Sequence, residues 1–80
     1  MAVVVQVPDE IASAMRLPDE EKEGRARIEL ACALYSQDVL SLGKAAQLAE
    51  MSRQRFGEEL ARRGIARHYR EAHLKQDLGE

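Results

Sequence analysis

The hydrophobic positions along this chain change period early. Between Ala2 and Val7 (AVVVQV) they follow the two-residue repeat of an extended chain, with Val3, Val5 and Val7 on one face and Val4 and Gln6 on the other. β-Branched residues in that pattern predict a short strand, stopped by Pro8. A lone strand needs a neighbour. Two are available: the same strand of a second protomer, or the segment Ile65 to Tyr69. Beyond Pro8 the spacing becomes helical. Pro8-Asp9-Glu10 opens a short helix reaching Met15 or Arg16, its acids placed where the helix dipole favours them. Leu17-Pro18-Asp19-Glu20-Glu21 repeats that signal and predicts a longer helix to about Gln37, with Gly24 a weak spot in its exposed first half. The apolar set Ile28, Leu30, Ala31, Cys32, Leu34 and Tyr35 is wider than one stripe, so this helix is expected to be central and contacted on several sides. Asp38 to Leu40 reads as a loop.

Residues 41–64 carry the most specific pattern. Ser41 can cap a helix from Leu42 to about Glu50, and Ala45, Ala46 and Ala49 are small enough for a second helix to cross closely. Met51 plugs the turn. Ser52 caps a helix from Arg53 to Arg63 whose buried face holds Phe56 and Leu60, four apart. Gly64 ends it. Short helix, bend, capping serine and Arg/Gln-rich helix make the layout of a helix-turn-helix. The expected fold is therefore mainly α, with a short N-terminal β-strand, a central helix and the helix-turn-helix within residues 1–64, and a short C-terminal segment at 65–80 in which Glu71 to Leu78 reads as a short helix or tail.

Charge sharpens this reading. The formal net charge of −2 hides a contrast: residues 1–40 sum to −4, residues 41–70 to +4 and residues 71–80 to −2. Phosphate attraction follows local density, so the basic middle matters more than the total. With Phe56 and Leu60 inward, Gln54, Glu58 and Ala61 face outward, flanked by Arg55, Gly57 and Arg62. Arg53 and Gln54 lie in the leading turn, which reaches base edges in this motif. Arg pairs bidentately with guanine and Gln with adenine. Lys44, Ser52 and Arg55 suit phosphate contacts, and Gly57 permits close backbone approach. Glu58 can accept from cytosine but repels phosphate. The DNA-binding set is thus Lys44, Ser52, Arg53, Gln54, Arg55, Gly57, Glu58 and Arg62.

Other chemistry has little to rest on. Eighty residues make one small domain with a thin core, which a second copy would help stabilise. The longest apolar runs are too short to span a bilayer, and no secretory signal is visible. The single cysteine, Cys32, lies in an apolar run and reads as core; a cytoplasmic location is expected. His68 and His73 are five apart with no cysteine pair nearby, so no metal is expected. The acids at Asp19 to Glu23 read as a solvated helix start. No phosphate loop or nucleophile motif occurs, and no enzyme or cofactor is expected.

The run Leu42-Gly43-Lys44-Ala45-Ala46-Gln47-Leu48-Ala49-Glu50-Met51-Ser52-Arg53, then Phe56, Leu60, Arg63-Gly64-Ile65 and His68-Tyr69, resembles uncharacterised protein family 0175. The strand ending in Pro8, the helix around Leu30 to Tyr35 and a C-terminal Leu74…Asp77-Leu78 element extend the resemblance over most of the chain. Two positions depart from the pattern: Glu50 stands where Gly is common, and Ala66 where Pro is common. The C-terminal element, with Lys75, is also less acidic. The resemblance implies a small prokaryotic antitoxin of a type II toxin–antitoxin pair, encoded beside a PIN-type ribonuclease toxin. It would repress its own operon through the helix-turn-helix and dock on the toxin through its C-terminal segment. PIN-type nucleases hold divalent metal with carboxylates, and an inserted Arg or an amphipathic segment can block such a site. Arg67, Tyr69, Arg70, Leu74 and Leu78 are the toxin-binding candidates. A segment with few apolar residues orders on a partner.

A single helix-turn-helix binds weakly, so operator DNA calls for a homodimer with paired half-sites, and Val3, Val5 and Val7 are its dimerisation candidates. Three alternatives remain: a protein-interaction adaptor that never meets DNA, a stand-alone small transcriptional regulator, and a two-stranded ribbon of N-terminal strands that reads DNA. The last is disfavoured because Val3, Val4 and Val5 offer base edges almost no hydrogen bonds.

Overall fold

A computed structural model describes residues 1–67. Four helices follow in order: α1 (Asp9–Ala14), α2 (Asp19–Ser36), α3 (Leu42–Leu48) and α4 (Arg53–Arg62). Pro8 and Pro18 stand immediately before the first two, and acids fill both first turns: Asp9 and Glu10 in α1, Asp19, Glu20 and Glu21 in α2. These carboxylates meet the positive end of the helix dipole. No membrane-crossing helix is present among the described residues.

The corners of the fold are set by backbone hydrogen bonds. After α2, Asp38 N–H donates to the Tyr35 carbonyl (3.1 Å) and Val39 N–H to Leu34 (2.9 Å). After α3, Glu50 donates to Gln47 (3.0 Å) and Met51 to Ala46 (2.9 Å). After α4, Gly64 donates to Ala61 (3.0 Å) and Ile65 to Leu60 (2.9 Å). Each is the paired closure of a Schellman motif, which needs one left-handed residue. Asp38 (φ 63°), Glu50 (φ 60°) and Gly64 (φ 72°) supply it. Two serines then restart the helices: Ser41 Oγ accepts from Lys44 N–H (3.3 Å) and Ser52 Oγ from Arg55 N–H (3.1 Å).

Helices α2, α3 and α4 enclose one core of Ala31, Cys32, Tyr35, Leu42, Ala45, Ala46, Ala49, Phe56 and Leu60. Alanines on α3 let its neighbours approach, and the aromatic rings fill the remaining depth. Tyr35 and Phe56 meet edge to face, with centroids 6.3 Å apart and planes at 84°, a favoured arrangement for two quadrupoles. Ile28, Leu40, Leu48, Met51 and Ile65 pack around the rim. α3 bridges the unit, packing on both α2 and α4.

Side chains on α2 also fasten the α3–α4 pair at two points. The Arg27 guanidinium reaches the Leu48 carbonyl (3.5 Å) and stands 4.0 Å from the Glu50 carboxylate, at the α3–α4 turn. Glu29 accepts two parallel hydrogen bonds from Arg63, both 2.8 Å, at the far end of α4.

Two expectations are corrected. The N-terminal strand is not formed: residues 2–7 have no regular structure, and Val3, Val4 and Val5 stand 74–86% exposed. Residues 65–67 do not pair with them, so the arm has no neighbour within the described chain to complete its hydrogen bonds. Nor is α2 covered on several sides. Its buried residues are Ala31, Cys32 and Tyr35, while Leu30 remains 43% exposed. The wide apolar set therefore spans one face against the core and a second face open to solvent.

Candidate nucleic-acid interface

The candidate site is built on α4, whose place is fixed by two side chains. Phe56 and Leu60 are fully buried and hold one side of the helix against α2 and α3. At 100° per residue the opposite side presents Gln54, Glu58, Ala61 and Arg62, all exposed. Arg53 and Arg55 are exposed in the first turn, beside the exposed Ser52. Lys44 projects from the neighbouring α3. The four-residue bend 49–52 separates the two helices.

Seven of the eight residues of the expected DNA-binding set are exposed, and their local chemistry differs. Lys44 and Arg55 form no ion pair among the described residues. The Ser52 hydroxyl oxygen is engaged by the Arg55 amide, which leaves its proton available to an acceptor such as a phosphate oxygen. Arg62 is bound to the Glu59 carboxylate, so part of its charge is already compensated. Gly57 is half-buried, and its open face is occupied within the chain: a Cβ built there would lie 3.3 Å from Arg67 Nη1 and 3.9 Å from Arg67 Cζ. Arg67 therefore folds back along α4. Of the other toxin-binding candidates, Tyr69, Arg70, Leu74 and Leu78 lie outside the described residues, as do His68 and His73. Val3, Val5 and Val7 lie together on the exposed arm.

One cluster was not foreseen from sequence. Arg63 donates to both Glu29 oxygens and, through Nε, to Glu59 Oε2 at 2.6 Å; Arg25 donates to Glu29 at 2.9 Å. The Arg63 fork, seconded by Arg25, holds the Glu29 carboxyl down at about 2 against an ordinary 4.5. The same guanidinium lowers Glu59, with Arg62 assisting, and Arg63 itself is raised chiefly by Glu29. Burial pushes the Cys32 thiol up, against a thiolate nucleophile and in keeping with its core position. The Glu59–Arg63 spacing of four was a readable signal; Glu29, 34 residues from Arg63, was not. This network consumes two of the basic side chains counted in the middle segment, which concentrates the remaining positive charge toward the start of α4. No group of three or more metal-ligating side chains gathers among the described residues.

Helix α4 packs with α2 and α3 around one small core and carries cationic and amide side chains in its exposed leading turn, which makes this a mainly α-helical protein among the described residues. The chain belongs to the uncharacterised protein family UPF0175, whose model matches residues 1–80. It is similar to a UPF0175 protein of Aeropyrum pernix, 46% identical over 76 residues, covering 95% of this chain and 81% of that one. A UPF0175 protein of Archaeoglobus fulgidus is 36% identical over 62 residues, or 78% of this chain and 71% of its own length. A third, from Synechocystis sp., is 38% identical over 50 residues, covering 62% and 56%. No solved structure matches the chain.

Proposed function

We propose that this chain is a DNA-binding antitoxin: it represses its own operon through α4 and neutralises a PIN-type ribonuclease toxin through the segment after Gly64. The observation that supports the first half is the presentation of Arg53, Gln54 and Arg55 in the exposed leading turn of a helix anchored from behind by Phe56 and Leu60. Arg53 and Gln54 read base edges in the major groove. Lys44, Ser52 and Arg55 hold phosphates and set the register. The toxin half rests on the family resemblance. The protein works without enzymatic activity, in the cytoplasm, as a homodimer on paired half-sites.

The test is a gel shift with the DNA upstream of the gene. The wild-type chain is expected to bind, and Arg53→Ala combined with Gln54→Ala to abolish binding, each good bidentate contact contributing about 1–3 kcal/mol. Unchanged binding by the double variant would remove α4 from the interface. Co-expression with the neighbouring reading frame tests the toxin role; a chain ending at Gly64 is expected to yield no complex, and a complex retained by that truncation moves the toxin surface elsewhere.

A second reading, a protein-binding adaptor, is favoured by Glu58, an exposed carboxylate on the outward face of α4 with no ion pair among the described residues. A carboxylate there repels phosphate but suits a basic protein surface. Glu58→Gln separates the two readings: it strengthens DNA binding if α4 lies near the phosphates and weakens a protein complex if Glu58 pairs with a cation.

A further inference from the structure

Among the described residues, most large exposed apolar side chains lie on the N-terminal arm, α1 and α2; Val39, 61% exposed after α2, stands apart from them. Val3, Val4 and Val5 are 85%, 86% and 74% exposed, and Ile11 and Leu30 about half exposed. Met15, Leu17 and Leu30 line an open groove between the α1–α2 corner and α2, with Arg16, Lys22, Arg25 and Glu29 also on its walls. No residue of α1 is buried. The helix is only six residues long, so roughly 9 Å separates the root of the arm from the groove. An uncovered extended apolar segment beside an uncovered apolar strip invites pairing with another chain.

We infer that a second copy of this chain covers this surface, the two N-terminal arms pairing antiparallel with Val5 opposite Val5 and the ribbon resting on the strip formed by Ile11, Met15, Leu17 and Leu30. The arm is its own complement in that register. Val3 falls opposite the partner's Val7, Val4 opposite the partner's Gln6, and Val5 opposite itself, so all six valines at positions 3, 5 and 7 share one face. This is the self-matching required of a two-fold interface. Charge agrees: residues 2–7 carry no charged side chain in a chain that is 32% charged, so no like charges oppose each other across the ribbon. Size selects the second layer. A two-stranded ribbon alone is marginal in water, and a lasting interface uses about 20–30 residues a side. Two short arms fall well short of that, and the apolar strip on α1 and α2 adds a second layer of contact to the ribbon.

This deepens the paired half-site reading by naming the surface where two copies meet, and its tests use DNA-free protein so that loss of pairing and loss of DNA binding are read separately. Sedimentation equilibrium of the full chain at tens of micromolar is expected to give a dimer. Val3→Lys with Val5→Lys is expected to give a monomer with unchanged helical circular dichroism, because neither valine belongs to the core. Leu30→Lys, on a different element, should weaken the dimer at least tenfold, the equivalent of about 1.4 kcal/mol. Register is tested in a Cys32→Ala background: Val5→Cys should oxidise to a covalent dimer, while Val4→Cys and Gln6→Cys should cross-link with each other and not with themselves. A wild-type monomer, a dimer that survives the paired lysines, or self-linking at position 4 without linking at position 5 overturns the proposal.

Discussion

Glu50 occupies a left-handed backbone position, φ 60°, in the bend between α3 and α4. A side chain costs about 1–2 kcal/mol there, and glycine avoids that strain at an entropic cost of about 0.5–1 kcal/mol. The left-handed geometry is kept here without glycine. Its contact with Arg27 is long, 4.0 Å, and the carboxylate is 72% exposed, so it contributes little. Glu50→Gly should therefore stabilise the chain by about 0.5–1 kcal/mol, read as a rise in the midpoint of thermal unfolding. Gly57 presents the opposite case. It lies inside α4 with an ordinary helical backbone, where Gly is about 1 kcal/mol worse than Ala. A Cβ would meet only the end of the Arg67 side chain, at 3.3 Å, and a flexible guanidinium can shift by a few tenths of an ångström. Gly57→Ala should raise the melting temperature by roughly 4 °C.

At the scale of elements, the helices are bounded by local chemistry and oriented by distant chemistry. The local part was readable. Ser41, Ser52 and Gly64 were identified because a cap needs a particular residue at a particular offset, and all three perform that role. The inward face of α4 was readable because Phe56 and Leu60 are the only large apolar side chains on an otherwise polar helix. The Glu29–Arg63 fork was not, since nothing local distinguishes Glu29 from the other acids of α2. The arm misled for a related reason: Val3, Val5 and Val7 have the period of a strand, but pairing is decided by a neighbour, and the described chain supplies none. The fork also carries a pH dependence. Glu29 is held near 2 when folded against an ordinary 4.5, so its contribution is fully present above about pH 4.5 and fades as the pH falls toward 2. Glu29 is about half exposed, and solvent screening limits the contribution to about 1 kcal/mol. Glu29→Gln should lower stability by that amount at pH 7, and urea titrations should show the gap from the parent closing between pH 4.5 and 2.

For the whole molecule, the distribution of charge matters more than its sum. The −2 of the chain would predict no affinity for an anionic polymer, but acids and bases are segregated: Glu29 and Glu59 neutralise arginines at the end of α4, and near its beginning Lys44 and Arg55 form no ion pair among the described residues. Binding to DNA should therefore fall steeply with salt, by about 0.9 in the logarithmic slope per phosphate contacted. Arg55→Ala should reduce that slope by about 1 and weaken binding evenly across sequences. Arg53→Ala should instead relax sequence preference. A filter-binding series from low to moderate salt distinguishes the two behaviours, and equal slopes for wild type and Arg55→Ala would place Arg55 away from phosphate.

Because α4 is seated by Phe56 and Leu60 while its ends are closed by main-chain hydrogen bonds and the Ser52 cap, positions 54, 58 and 61 contribute almost nothing to keeping the molecule folded. Those three sites can be rewritten together without repacking the interior. On the DNA-binding reading proposed above, that outward face is exchangeable: a few substitutions there would shift the target sequence while the interior stays as it is.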